Sequence, residues 1–197
     1  MIFPIFPLNG AVLFPKTTLP LNIFEKRYLA MVDYAFANER IIGMIQRKES
    51  GSLFNIGCLG KIIRFNETAD GRYLISLEGT NCFKVKKELE KKHLFRMVDG
   101  KIFENKKHNK SFDNNDFKKK ILENFNIYIQ NNNFKLDIKE LADLSLDQII
   151  KFITMVSPFS YLEKQTCLET NNIEEFFDKL MSILEINSKN LEENTVI

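Results

Sequence analysis

Few side chains in this chain have the type and spacing that covalent or metal chemistry needs. His93 lies in a Lys-rich stretch and His108 in a polar, Asn-rich one, while Cys58, Cys82 and Cys167 are far apart with no Cys-x-x-Cys pair. A zinc site or a nucleophile paired with a histidine needs such groups within bonding reach of one another, and no spacing here prepares one. Nor is there a Gly-x-x-x-x-Gly-Lys-[Ser/Thr] loop, whose backbone amides and lysine would cradle nucleotide phosphates. We therefore expect no catalytic residue, no metal and no cofactor. An odd number of scattered cysteines points to reduced thiols in a reducing compartment.

What the residues do offer is surface for recognition. Leu19-Pro20-Leu21, Phe24 and Tyr28 form an apolar surplus in a segment where Pro15 and Pro20 lack a backbone donor and push their preceding residues toward extended geometry. These side chains admit two roles. If the prolines hold the segment off regular pairing, Leu19, Pro20, Leu21, Phe24 and Tyr28 are candidate polypeptide-binding residues that meet an apolar stretch of another chain. Alternatively they only pack a helix onto a sheet. Lys84-Val85-Lys86-Lys87 and Lys91-Lys92 make a basic cluster, yet without interleaved aromatics for base stacking it reads as a solvated strand face. Ser160 followed by Glu163 has the spacing of a capping box, with Lys164 beside it expected in solvent.

The elements that must position these residues follow from hydrophobic period. Pro4 and Pro7 confine the first segment to an edge strand or an irregular extended piece. The stretch with Pro15 and Pro20 is extended and edge-like, and from Phe24 the apolar residues Tyr28, Met31, Val32 and Ala35 recur at helical spacing. Ile41–Gln46 and Cys58–Phe65 read as strands. Asp70-Gly71 signals a hairpin with a type I′ turn, after which Tyr73, Ile75 and Leu77 share one strand face and Ser76 and Glu78 the other. Gly79-Thr80-Asn81 permits a sharp bend, and Leu94–Phe103 is a last strand. Residues 104–116 are polar, charged and without apolar period, which makes them a linker. Beyond them the period is helical: Phe117, Ile121, Phe125 and Tyr128, then one or two helices over Leu141–Val156, then the stripe Ile173, Phe176, Phe177, Leu180 and Leu184. The expected division is 1–103, a β subdomain with one helix; 104–116, the linker; and 117–197, a helical bundle, an α+β chain.

Composition bounds the function. With 44% hydrophobic and 27% charged residues the chain is globular, and 18 Phe with no Trp make the core Phe-rich. The net charge of +2 is too small to imply a polyanionic partner. It is unevenly spread, however: residues 1–103 hold 16 Lys and Arg against 10 Asp and Glu, and residues 104–197 hold 12 against 16. The apolar start has no cationic leader or small-residue cleavage site, and no run approaches a membrane span, so a cytoplasmic, soluble protein is expected.

The series Phe14-Pro15, Leu19-Pro20-Leu21, Ile23-Phe24-Glu25 and Arg27-Tyr28, preceded by Ile5-Phe6-Pro7-Leu8, resembles the opening of the N-terminal substrate-binding domain of Lon-type ATP-dependent proteases. Three more islands match in order: Ile56-Gly57-Cys58-Leu59-Gly60-Lys61-Ile62; Asp70-Gly71-Arg72-Tyr73 through Glu78-Gly79; and Ser157-Pro158-Phe159 with Glu163-Lys164-Gln165 and Leu168-Glu169. The resemblance implies a PUA-like β pseudo-barrel followed by a helical bundle. It also implies a non-catalytic polypeptide-binding module, an adaptor or chaperone-like protein in protein quality control. The partners so implied are unfolded or degradation-destined polypeptides and, in an adaptor role, a protease. PUA-like folds also serve as RNA-binding modules, which is the alternative. Cys82 stands where the family commonly has an Arg before the aromatic, here Phe83, and the 197 residues hold neither the ATPase nor the protease domain, so a stand-alone recognition domain is expected.

Overall fold

Alternating apolar residues, and continuous apolar runs in β1 and β3, build six strands over residues 1–103: β1 (Ile2–Pro7), β2 (Thr18–Ile23), β3 (Ile41–Ile45), β4 (Ile56–Glu67), β5 (Tyr73–Glu88) and β6 (Arg96–Phe103), with helix α1 (Lys26–Phe36) between β2 and β3. The computed structural model describes residues 1–103, 115–136 and 138–189. The chain forms two units, Met1–Asn105 and Lys106–Ile197. The expected linker at 104–116 and His108 fall for the most part outside the described residues; Asn115 and Asp116 already belong to a helix.

The strands form one sheet of order β2-β5-β4-β3-β1-β6, antiparallel except for β1 with β3. The 16-residue β5 is long enough to pair with β2 through its first half and with β6 through its second, so the two sides of the sheet meet. Phe3, Ile5, Leu59, Phe83 and Val98 form one apolar cluster, in which the Phe3 and Phe83 rings meet edge-on at 4.8 Å. A second cluster packs Tyr28, Met31, Val32 and Ala35 of α1 against Ile62, Ile75 and Leu77.

Two expectations for this unit change. β1 is not at an edge: residues 2–5 pair with β6 and residues 5–7 with β3. Its prolines are tolerated because the two pairings overlap only at Ile5, so Pro4 and Pro7 each have one unpaired side on which the missing N–H costs nothing. The hairpin at Asp70-Gly71 is not type I′. Only Gly71 has positive φ (+80°), and its N–H donates to the Thr68 carbonyl, which makes a type I turn closed by a left-handed glycine. At Gly79-Thr80-Asn81 β5 stays a strand but is bulged: the register passes from Cys58–Cys82 to Gly60–Gly79, which puts one extra residue into β5. A Cβ at Gly79 would collide with the Phe14 carbonyl oxygen, because the chain at 14–17 lies against the strand: Lys16 N–H donates to Gly79 O (2.7 Å) and Gly79 N–H to Thr17 O (2.8 Å).

The second unit contains α2 (Asn115–Asn131), a 3₁₀ turn (Lys139–Asp143), α3 (Leu146–Val156), α4 (Tyr161–Leu168) and α5 (Ile173–Lys189). Ile121, Phe125 and Tyr128 of α2 are buried, as are Phe176, Phe177, Leu180 and Leu184 of α5. Capping boxes start α3 (Ser145 with Gln148) and α4 (Ser160 with Glu163), each satisfying backbone donors that a helix start leaves free. Lys164 is not in solvent but 5% exposed. Its stem packs inward and Nζ donates to the Met155 carbonyl at the end of α3 (3.3 Å), while burial pushes its pKa down. Among the described residues no helix is long and apolar enough to cross a membrane.

Candidate functional site

The candidate site is the outward face of β2, β5 and β4. Beyond Lys61, β4 leaves β3, and residues 62–67 continue with β5 and β2 as a three-stranded tongue with β5 in the middle. Side chains alternate across it. Leu19, Leu21 and Ile23 stand opposite Leu77, Ile75 and Tyr73, and this face is turned to α1. The other face carries two rungs, Pro20–Ser76–Arg64 and Asn22–Leu74–Asn66. A register shift between Ile62 and Arg64 inserts Ile63 as an extra residue in the bulged strand.

The result is a groove of about 830 Å³ over this second face, with Leu21, Phe65 and Ile75 at its border. Its apolar part is exposed: Ile63 is 46% and Leu74 41% accessible. An aliphatic residue on the solvent face of a paired strand contributes little to folding and stays available for another apolar surface. Pro20 has its own reason to be here. A proline inside a ladder must turn its nitrogen to the open side, and β2 pairs only with β5, which also blunts that edge against further strand addition.

The residues singled out in the sequence separate. Pro20 and Leu21 line the groove. Leu19 packs, half-buried, against the cluster under α1. Phe24, just past β2, is 65% exposed and does not line the groove. Tyr28 is buried with its ring 4.3 Å from Phe6; burial raises its pKa against the opposing charge of Arg27, whose guanidinium sits 4.5 Å over the ring. Ile63, Arg64, Phe65 and Leu74 were missed. The signal was present in the broken alternation of Ile62-Ile63-Arg64-Phe65, where an apolar residue must face solvent whichever face is buried, and in Leu74 sitting in phase with Ser76.

The family described as the ATP-dependent protease La (LON) substrate-binding domain matches residues 2–185. The chain belongs to the Lon substrate-binding domain family. Among curated relatives, the Lon protease of Buchnera aphidicola subsp. Schizaphis graminum is 26% identical over 92% of this chain and 24% of its own length. That of Cytophaga hutchinsonii is 28% identical over 45% of this chain and 12% of its own. The chain thus spans at most about a quarter of the curated Lon proteases named here. The fold is that of the N-terminal domain of Mycobacterium avium complex Lon protease (TM-score 0.72, 15% identity, covering 94% of this chain and 98% of that one). The Lon N-terminal domain protein from Xanthomonas campestris is similar too (TM-score 0.64, 19% identity, 92% and 98%).

In this Lon-type domain Cys82 is buried directly opposite Cys58 in the β4–β5 register. The helical unit also holds a cavity, of about 340 Å³, lined by Tyr128, Phe134, Leu136 and Val156 among others. Its serine, Ser157, has a hydroxyl that is sealed from solvent without a hydrogen-bond partner, so it presents no polar handle to an incoming ligand. Among the described residues no group of three or more His, Cys, Asp or Glu side chains is placed to hold a metal ion.

Proposed function

We propose that this protein is a non-catalytic polypeptide-binding module that holds unfolded or degradation-destined chains on the outward face of β2, β5 and β4, serving protein quality control as an adaptor or chaperone-like holder. The observation that carries the reading is that Ile63 and Leu74 are exposed and, with Pro20, line one groove, in a family named for substrate binding. Burying apolar area there contributes about 25 cal/mol per Å² before the costs of association, enough for modest affinity toward many unrelated segments. Leu21 adds to the groove wall, and Phe24 adds apolar surface one residue past β2; Leu19 and Tyr28 act from behind by fixing β2 and α1. The pairing of β5 with both β4 and β6 supports a PUA-like pseudo-barrel for 1–103, joined through 104–116 to the helical part, 117–197. Three cysteines without a disulfide suit the reducing cytoplasm.

The test is capture of a permanently unfolded protein, such as reduced, carboxymethylated lactalbumin. Ile63→Ser combined with Leu74→Ser should reduce binding at least tenfold at an unchanged melting temperature; undiminished binding rejects the face. A second reading, RNA binding, is favoured by Lys84 facing Lys101 across β5 and β6, two exposed like charges that repel unless an anion joins them. RNA affinity that falls steeply with salt, through counterion release, would support it.

A further inference from the structure

The groove carries a charge that an apolar surface does not need. Arg64 stands in the rung with Pro20 and Ser76, with Ile63 beside it and Leu74 one rung along. It is exposed, and among the described residues it holds no carboxylate. Arg27, Arg72 and Arg96, by contrast, each grip one, at 2.7 Å to Glu25, 2.8 Å to Asp70 and 2.6 Å to Glu88. Among the described residues no Asp or Glu lines the groove, and the side chains of Asn22, Asn66 and Ser76 around Arg64 make no hydrogen bond to another described residue. The whole first unit is net positive, with 16 basic against 10 acidic residues over 1–103.

We propose that, given the polypeptide-binding reading above, this face selects extended segments in which an Asp or Glu side chain is flanked by aliphatic residues. The carboxylate is received by the Arg64 guanidinium, and the flanking side chains lie on Ile63, Leu74 and Pro20. A planar guanidinium offers two parallel donors that match both carboxylate oxygens, and an aliphatic surround strengthens that pair by thinning the water around it. The spacing fits. Successive rungs of the tongue are roughly 6.8 Å apart, which is also the distance between side chains on one side of an extended peptide. An acid at one position and a leucine two residues on therefore reach Arg64 and Leu74 together. The flank beside Arg64 is aliphatic, and the aromatic ring in the lining, Phe65, already meets Phe36 (4.9 Å) and Tyr73 (5.0 Å) edge-on, which favours a peptide over a nucleic acid.

End-blocked fluorescent peptides of one extended sequence, bearing Asp, Asn or Lys at the central position between leucines, test this by anisotropy titration on the full chain. The wild type should bind the Asp peptide about tenfold more tightly than the Asn peptide at low salt, the size expected of one charge-assisted pair. Arg64→Gln should erase that preference, Arg64→Glu should move it to the Lys peptide, and Leu74→Ser should weaken all three. Equal affinity of the wild type for Asp and Asn peptides, with both weakened by Leu74→Ser, overturns the acidic selectivity and leaves the polypeptide-binding face standing. A preference that survives in Arg64→Gln overturns the role of Arg64. No binding by any peptide, or no effect of Leu74→Ser, overturns the face itself, as does displacement of the Asp peptide by an oligonucleotide.

Discussion

The three strands β2, β5 and β4 present two faces made from the same run of residues, and the faces have opposite economies. On the side turned to α1, Ile75 and Leu77 are 3% and 0% exposed, and Leu19 and Leu21 pack half-buried against them. On the other side Leu74, in the next position along β5, is 41% exposed among Arg64, Asn66 and Ser76. A leucine on the first face holds the fold together; a leucine on the second leaves the fold indifferent and waits for a partner. That difference separates substitutions that unfold the domain from those that silence it.

The largest effect should come from the inner face. Leu77→Ala is expected to cost about 2–5 kcal/mol, since it removes a fully buried side chain and leaves a cavity, and urea unfolding would measure it. If Leu77→Ala costs no more than Leu74→Ala, the two faces do not differ. Gly79→Ala should follow at about 1–3 kcal/mol, because the added methyl meets the Phe14 carbonyl and strand and turn must part. Leu19→Ser and Leu21→Ser each remove a half-buried contact and should lower stability by about 1–2 kcal/mol. Leu21→Ser should weaken client binding as well, because Leu21 also borders the groove.

A pH titration sharpens the comparison further. Tyr73, on the inner face, has its hydroxyl bonded to Asp33 of α1, and burial first, then that carboxylate, raise its pKa above the usual 10.0. A proton held more tightly in the folded state stabilises it fully below pH 10 and is lost as pH rises through the raised value. Thermal stability should therefore fall at alkaline pH, and less steeply in Tyr73→Phe. The smallest stability effect belongs to the outer face: Leu74→Ser and Ile63→Ser should each stay within about 0.5 kcal/mol of wild type.

Much of this frame could be read from residue order. The helical spacing of Tyr28, Met31, Val32 and Ala35 is the buried stripe of α1, and Ser160 with Glu163 is the capping box of α4. Local rules failed where a long-range partner decided the outcome. Pro4 and Pro7 argue for an edge because a proline cannot serve two ladders, yet β1 changes partner at Ile5 and never asks it to. Gly79 marks an irregularity in β5, but that a side chain has no room there shows only when the chain at Phe14 is placed against it. Lys164 looks solvated until the end of α3 supplies a carbonyl. For the candidate site, β2 drew attention through Pro20, but the other half of the groove comes from Ile63 and Leu74, 43 and 54 residues further along, and only pairing brings them to Pro20.

The central claim is that clients meet the outer face of the tongue. Amide hydrogen exchange of the full chain with and without a saturating unfolded polypeptide tests it most directly, because it locates the contact without altering a residue. Slowed exchange at residues 21–22, 63–66 and 74–76, with the amides of β1 and of α5 unchanged, is the predicted result. Protection confined to the helical unit, or to the Lys84 and Lys101 side of β5 and β6, would contradict it.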